Sequence, residues 1–165
     1  MTRPISIVRW LCCMMLLLPL LSGKGLPDQV TASRRTLAPA PASMSADILR
    51  YVNEYRHSKH LAPLQPNSFI SSIALEHSRD MLSGKTPFGH EGFRARIDRI
   101  RKKLGPIHVA AENVASGPMG AREVVDGWLH SPGHRRNIEG DFRLTGIGLA
   151  YGRKGMIYFT QIFTQ

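Results

Sequence analysis

Cysteine is nearly missing from this sequence: among 165 residues only Cys12 and Cys13 carry thiols, side by side. That excludes a disulfide scaffold and a cysteine-based zinc site. Acidic residues are scarce too, 12 Asp+Glu against 22 Lys+Arg, for a formal net charge of +10. Long apolar runs are absent after Leu21, which excludes a multi-span membrane protein. The chain has no HExxH helix signature, no GxSxG elbow and no glycine-rich phosphate loop. What is present suits one domain with a tail, and 42% hydrophobic residues supply a core.

Residues 1–25 read as an export signal, with an uncleaved anchor as the alternative. Arg3 and Arg9 make a positive start, and Trp10 to Leu21 is apolar apart from Pro19. A spanning helix needs about 20 such residues, and this shorter run has the length of a signal core. Ser22, Gly23 and Gly25 offer small residues for cleavage, which would remove both thiols. The destination is then secreted or periplasmic, and the mature fold rests on core packing alone. Residues 26–44 are a Pro/Ala-rich linker with APAPA at Ala38 to Ala42, a composition that favours extended polyproline geometry.

Residues 45–165 carry the periodic pattern of a folded domain. A helix is predicted from Ser45, as its N-cap, to about Lys59, with Ile48, Tyr51, Val52 and Tyr55 on one stripe. A second runs from Ser68 to Ser83, placing Ile70, Ile73, Ala74, His77 and Met81 on one face before Gly84. A third spans Phe93 to Leu104, and a fourth runs from Gly120 to His130, stopped by Pro132 and Gly133. The period then changes: Leu144 to Tyr151 and Met156 to Phe163 read as a hairpin around Gly152 to Gly155. A lone hairpin is marginal, so it needs helices and a further strand beside it. The expected class is α+β, with helices covering a small antiparallel sheet.

Three polar residues fall where the core should be: His90 in TPFGHEGF, Glu112 in AAENVA and His134 in WLHSPGHRRNI. A buried carboxylate must be paired, metal-bound or protonated. Two imidazoles and a carboxylate also make a usable shell for Zn2+ or another divalent cation. Each residue has a plainer role open to it: His90 bonded within its loop, Glu112 bracing backbone, His134 solvated. Ser131 beside His134 lacks the surroundings of a serine nucleophile. The basic run Arg94, Arg96, Arg99, Arg101, Lys102 and Lys103 suits anionic surfaces or simply the wet face of a helix. No aromatic residues interleave with it, which weighs against nucleic acid.

In order, FGH at Phe88 to His90, AENVA at Ala111 to Ala115 and VVDGWLHSPGHRRNI at Val124 to Ile138 resemble the CAP superfamily, the SCP-like, cysteine-rich secretory and pathogenesis-related group. The resemblance is to its bacterial cysteine-free type. ILRYVNEYR at Ile48 to Arg56, ALEHSRDM at Ala74 to Met81, GIGLAY at Gly146 to Tyr151 and FTQIF at Phe159 to Phe163 support it. The resemblance implies an α-β-α sandwich, a small central antiparallel sheet flanked by helices, with a groove lined by His90, Glu112, Ser131 and His134. It implies a metal set of His90, Glu112 and His134. The family's second acidic residue commonly stands three after the helix tryptophan, where this chain has Ser131.

The resulting expectation is an exported module that binds a lipid, peptide or wall component in that groove. The alternative is a metal-assisted hydrolase, peptidase or esterase, with Glu112 as its catalytic group. Because one carboxylate cannot easily be both ligand and base, binding is the favoured reading. A third reading is an envelope interaction protein that uses the basic helix. Fold alone does not choose among them.

Overall fold

The structure is a computed structural model that describes residues 43–165. The export signal, both cysteines and all but the last two residues of the expected linker lie outside the described residues. Those two residues belong to the start of the first helix. Helix α1 spans Met44–Ser58, and Ser43, not Ser45, caps it, its hydroxyl accepting from the Ala46 N–H at 3.3 Å. Strand β1 is the two-residue Gln65–Pro66. Helix α2, Ser68–Ser83, is capped by the Asn67 side chain, which accepts from the Phe69 and Ile70 N–H groups at 3.0 and 3.1 Å. Helix α3 is Phe93–Leu104 and strand β2 is Ala110–Gly117. Helix α4 is Ala121–His130, and helix α5, Pro132–Glu139, follows after one residue. Strand β3 is Leu144–Tyr151, and a turn through Arg153–Gly155 leads into strand β4, Ile157–Thr164.

The sheet runs in the order β1-β3-β4-β2. Strands β3, β4 and β2 are antiparallel, with Gly146 opposite Ile162 and Glu112 opposite the same Ile162. The expected antiparallel sheet gains one exception: β1 pairs in parallel with β3 at Leu144 and Thr145.

Helices cover both faces of this sheet, each over its own core. One core joins Ile48 and Val52 of α1, Val124, Val125 and Trp128 of α4 and Ile138 of α5 to Phe159 and Phe163 of β4. The other joins Ile70, Ile73 and Ala74 of α2 and Ile97 and Ile100 of α3 to Ile162. Because side chains alternate along a strand, β4 feeds both cores at once. The α-β-α sandwich follows from that alternation.

Two glycines set the spacing on the α2 side. A Cβ at Gly146 would overlap the backbone of Ile70 and Ser71, and one at Gly148 the backbone of Ala74 and Leu75. The alternating glycines of β3 are therefore the places where a helix backbone lies directly on the sheet.

Helix α5 departs from the expectation that Pro132 and Gly133 only end α4. Proline at the first helical position lacks an N–H that would be unpaired there anyway, so Pro132 starts a new helix as it closes the old one. Arg56 of α1, buried, then holds the far end of α5. Its guanidinium donates to the Ile138 and Gly140 carbonyls at 2.6 and 2.9 Å and to the Ala62 carbonyl at 2.8 Å.

Candidate functional site

Glu112 lies on the α2–α3 side of β2, opposite Ile162, and is 5% exposed. It is paired. Arg96 of α3, 8% exposed, donates from Nε to Glu112 Oε2 at 2.9 Å and from Nη2 to Oε1 at 2.7 Å. Two parallel bonds of this kind are the strong form of a carboxylate–guanidinium contact. Nη1 of Arg96 donates in turn to the Glu91 carbonyl at 2.7 Å.

His90 reaches the same carboxylate from the loop between α2 and α3, Nδ1–H donating to Glu112 Oε1 at 3.0 Å. Its side chain is 51% exposed, so one ring edge meets the buried charge and the other faces outward. His77 of α2 also comes near, its Nε2 3.9 Å from Oε1 while donating to the Gly89 carbonyl at 2.9 Å. Burial holds the His77 pKa below its ordinary value, against the raising effect of its bond to the Gly89 carbonyl. The Glu91 carbonyl, the Gly89 carbonyl and the His90 ring are thus all tied to buried side chains. A neighbouring cavity of about 210 Å³ has His77, Arg96 and Thr86 in its wall.

His134 sits in the first turn of α5. Its carbonyl accepts from Asn113 Nδ2 at 3.1 Å, which binds α5 to the residue after Glu112. Its pKa lies below the ordinary value, through burial first and then the nearby charge of His90. Asn137, one turn later, donates to the Glu112 carbonyl at 3.2 Å and to Asn113 Oδ1 at 2.9 Å. The structure therefore draws His90, Glu112 and His134 to one region from a loop, a strand and a helix. Ser131 stands at the α4–α5 junction, where its carbonyl accepts from the Arg135 N–H at 2.9 Å. Its side chain makes no capping bond to α5. His130 turns elsewhere, its Nδ1 bonding the Asp126 carbonyl at 2.7 Å.

Two participants escape a reading of the sequence alone. Arg96 groups there with the wet cations of α3 and is instead buried, so the anionic-surface set loses it. The clue is its place four residues before Ile100, on the buried stripe of the helix. The pattern of α2 sets His77 on the apolar face without linking it to the site. Of the other α3 cations, Arg99 pairs with Glu76 and Arg101 with Asp98, both at the surface.

The residues as arranged do not fit a divalent ion with Glu112 as ligand. Both carboxylate oxygens already accept from Arg96, and a fixed positive charge stands where a cation would bind. Among the described residues, no group of three or more His, Cys, Asp or Glu side chains is disposed to hold a metal. The same bonds leave Glu112 poorly placed as a general base, since its oxygens face a guanidinium rather than a substrate.

The sequence profile of the cysteine-rich secretory protein family, CAP, matches residues 49–163. A Bacillus subtilis (strain 168) relative, the uncharacterized protein YkwD, is 32% identical over 151 residues, an alignment covering 84% of this chain and 58% of the relative. The chain thus spans less than two thirds of that protein's length. The structure is similar to an extracellular protein containing a SCP domain from Bacillus anthracis str. Ames, with a TM-score of 0.61 and 26% identity over 74% of this chain and 40% of that one. It is similar in fold to an outer surface protein from Borrelia burgdorferi, with a TM-score of 0.62 and 21% identity, covering 75% of this chain and 96% of that one.

Proposed function

This chain belongs to the cysteine-rich secretory protein family, CAP, and from that premise we propose that it is an exported binding module whose ligand is a lipid, a peptide or a wall component. The observation that carries this reading is the division of labour within the polar cluster. Glu112, Arg96 and His77 are buried and bonded to one another or to the loop, whereas His90 is half exposed. With Nδ1–H held by Glu112, His90 presents Nε2 outward in a fixed orientation. Phe88, two residues earlier and 55% exposed, packs edge-on against Tyr158 of β4 at 6.3 Å between ring centroids. A polar ring edge and an aromatic surface on one tethered loop suit recognition of a ligand with both polar and apolar parts. Export is supported by the apolar N-terminal run and by the extracellular SCP-domain relative. No helix of the described residues is long and apolar enough to cross a membrane.

The test is a binding titration of the full chain with wall fragments, peptides and lipid vesicles, followed by histidine side-chain NMR. Shifts of the His90 and His134 ring signals, lost in His90→Ala, are expected with one class. Shifts confined to other histidines would end the proposal. A hydrolase reading is favoured by one contact only, the His90–Glu112 bond, which orients an imidazole as a carboxylate does in acyl-transfer sites. It predicts ester or peptide cleavage that His90→Ala abolishes, and equal rates for the two proteins would remove it.

A further inference from the structure

We infer that Arg96 is the resident cation of this site: its guanidinium takes the place beside Glu112 that a divalent metal ion would need, and removing it opens a metal site. The argument begins with the donors. Around Glu112 Oε1 stand His90 Nδ1 at 3.0 Å and His77 Nε2 at 3.9 Å. Two ligands on a tetrahedral zinc, each at about 2.0–2.1 Å, are themselves about 3.3 Å apart. One of these spacings falls inside that value and the other outside it, so the three groups are neighbours without being set for an ion as they stand. The set is also occupied: Arg96 engages both oxygens of Glu112, and its third bond, to the Glu91 carbonyl, fixes the guanidinium to the same loop that carries His90.

An arginine in this position does what a bound cation does. It neutralises a carboxylate that is 5% exposed, and it fixes the loop that presents His90. Unlike a metal, it cannot dissociate and needs no deprotonated imidazole. The cluster then keeps its form without regard to the metal content of the surroundings. It also leaves His77 and His90 to bond the loop and the carboxylate through N–H groups, an arrangement that metal ligation would break.

The experiment compares full-chain wild type, His90→Ala, Arg96→Met, Arg96→Met/His90→Ala and Arg96→Met/Glu112→Gln by thermal unfolding and calorimetric titration with zinc chloride. Wild type is expected to show no zinc site that His90→Ala removes. Arg96→Met is expected to melt lower without metal and to gain one zinc site, with a Tm that climbs as zinc is raised. Both double variants should lose that gain, while Arg96→Met/Glu112→Gln, with neither charge buried, melts above Arg96→Met in chelator. If Arg96→Met does not fold unaided, refolding in zinc should recover it. A wild-type zinc site that depends on His90, or an Arg96→Met protein that zinc neither binds nor recovers, would overturn the inference. Any Tm change common to all variants belongs to surface histidines and is subtracted.

Discussion

Trp128 closes the free edge of the sheet: its indole N–H donates to the Val114 carbonyl of β2 at 3.3 Å, while the ring packs into the core beneath. Strand β2 is the last in the order, and Asn137 treats the Glu112 carbonyl two residues earlier in the same way. Side-chain donors from α4 and α5 thus take the place of a neighbouring strand. Replacing Trp128 by Phe keeps an aromatic ring and orphans the Val114 carbonyl. An unsatisfied buried acceptor costs about 1–3 kcal/mol, and the smaller ring leaves space besides. Urea unfolding should show a loss in that range with an unchanged slope, and a loss below about 0.5 kcal/mol would mean that the edge is not held this way.

Arg56→Met tests the anchoring of α5. The aliphatic stem is conserved, but the carbonyls of Ala62, Ile138 and Gly140 lose their donor. With one buried and two part-buried acceptors released, a cost of about 2–4 kcal/mol is expected. Hydrogen exchange should quicken first in Pro132–Glu139, the helix that carries His134. Exchange that rises evenly across the domain would contradict a local anchor.

The buried imidazole of His77 gives stability a pH dependence of definite sign. Its folded-state pKa lies below the ordinary value because of burial, with Arg96 lowering it further and Glu112 and Asp80 raising it. The unfolded chain therefore takes up a proton first as pH falls below about 6.5. Stability from this group is complete above that pH and declines below it, until the folded form also titrates. His134, lowered by burial and by His90, adds to the same trend. Wild-type Tm should fall as pH is lowered from about 7.5 to about 5.5, across the ordinary histidine pKa, and the fall should be smaller in His77→Gln. Parallel curves for the two proteins would assign the slope to other groups.

Gly148→Ala should be among the most damaging substitutions in the domain. Its methyl would overlap the backbone of Ala74 and Leu75, which cannot turn aside as a flexible side chain can. Overpacking of this kind costs about 1–3 kcal/mol or more, and here it pushes α2 off the sheet. A soluble variant melting within about a degree of wild type, a shift worth only a few tenths of a kcal/mol, would show that the helix moves more freely than its packing implies.

Much of this architecture is readable from the chain alone, for physical reasons that differ by element. Helices α1 to α4 announce themselves because each buries one stripe: Ile70, Ile73, Ala74 and His77 lie where a period of about 3.6 puts them. The β3–β4 hairpin shows by its change of period. Helix α5 is hidden because Pro132 and Gly133 signal an end as strongly as a beginning, and β1 because two residues carry no period. The site is half visible. His90 and Glu112 stand out as polar residues in apolar or glycine-containing segments, and they do meet. Arg96 is masked by its company, for Arg94, Arg99, Arg101, Lys102 and Lys103 make the helix look uniformly basic, and only the phase of Ile97 and Ile100 turns one cation inward.

Gly146 and Gly148 also change how mutational surveys of this domain should be read. Replacing residues by alanine is ordinarily subtraction, a trimming of atoms that reveals what they contributed. At these two positions the same substitution is addition, because hydrogen is what lets helix and strand touch. The thickness of one layer of the molecule is thus written in atoms the chain does not have.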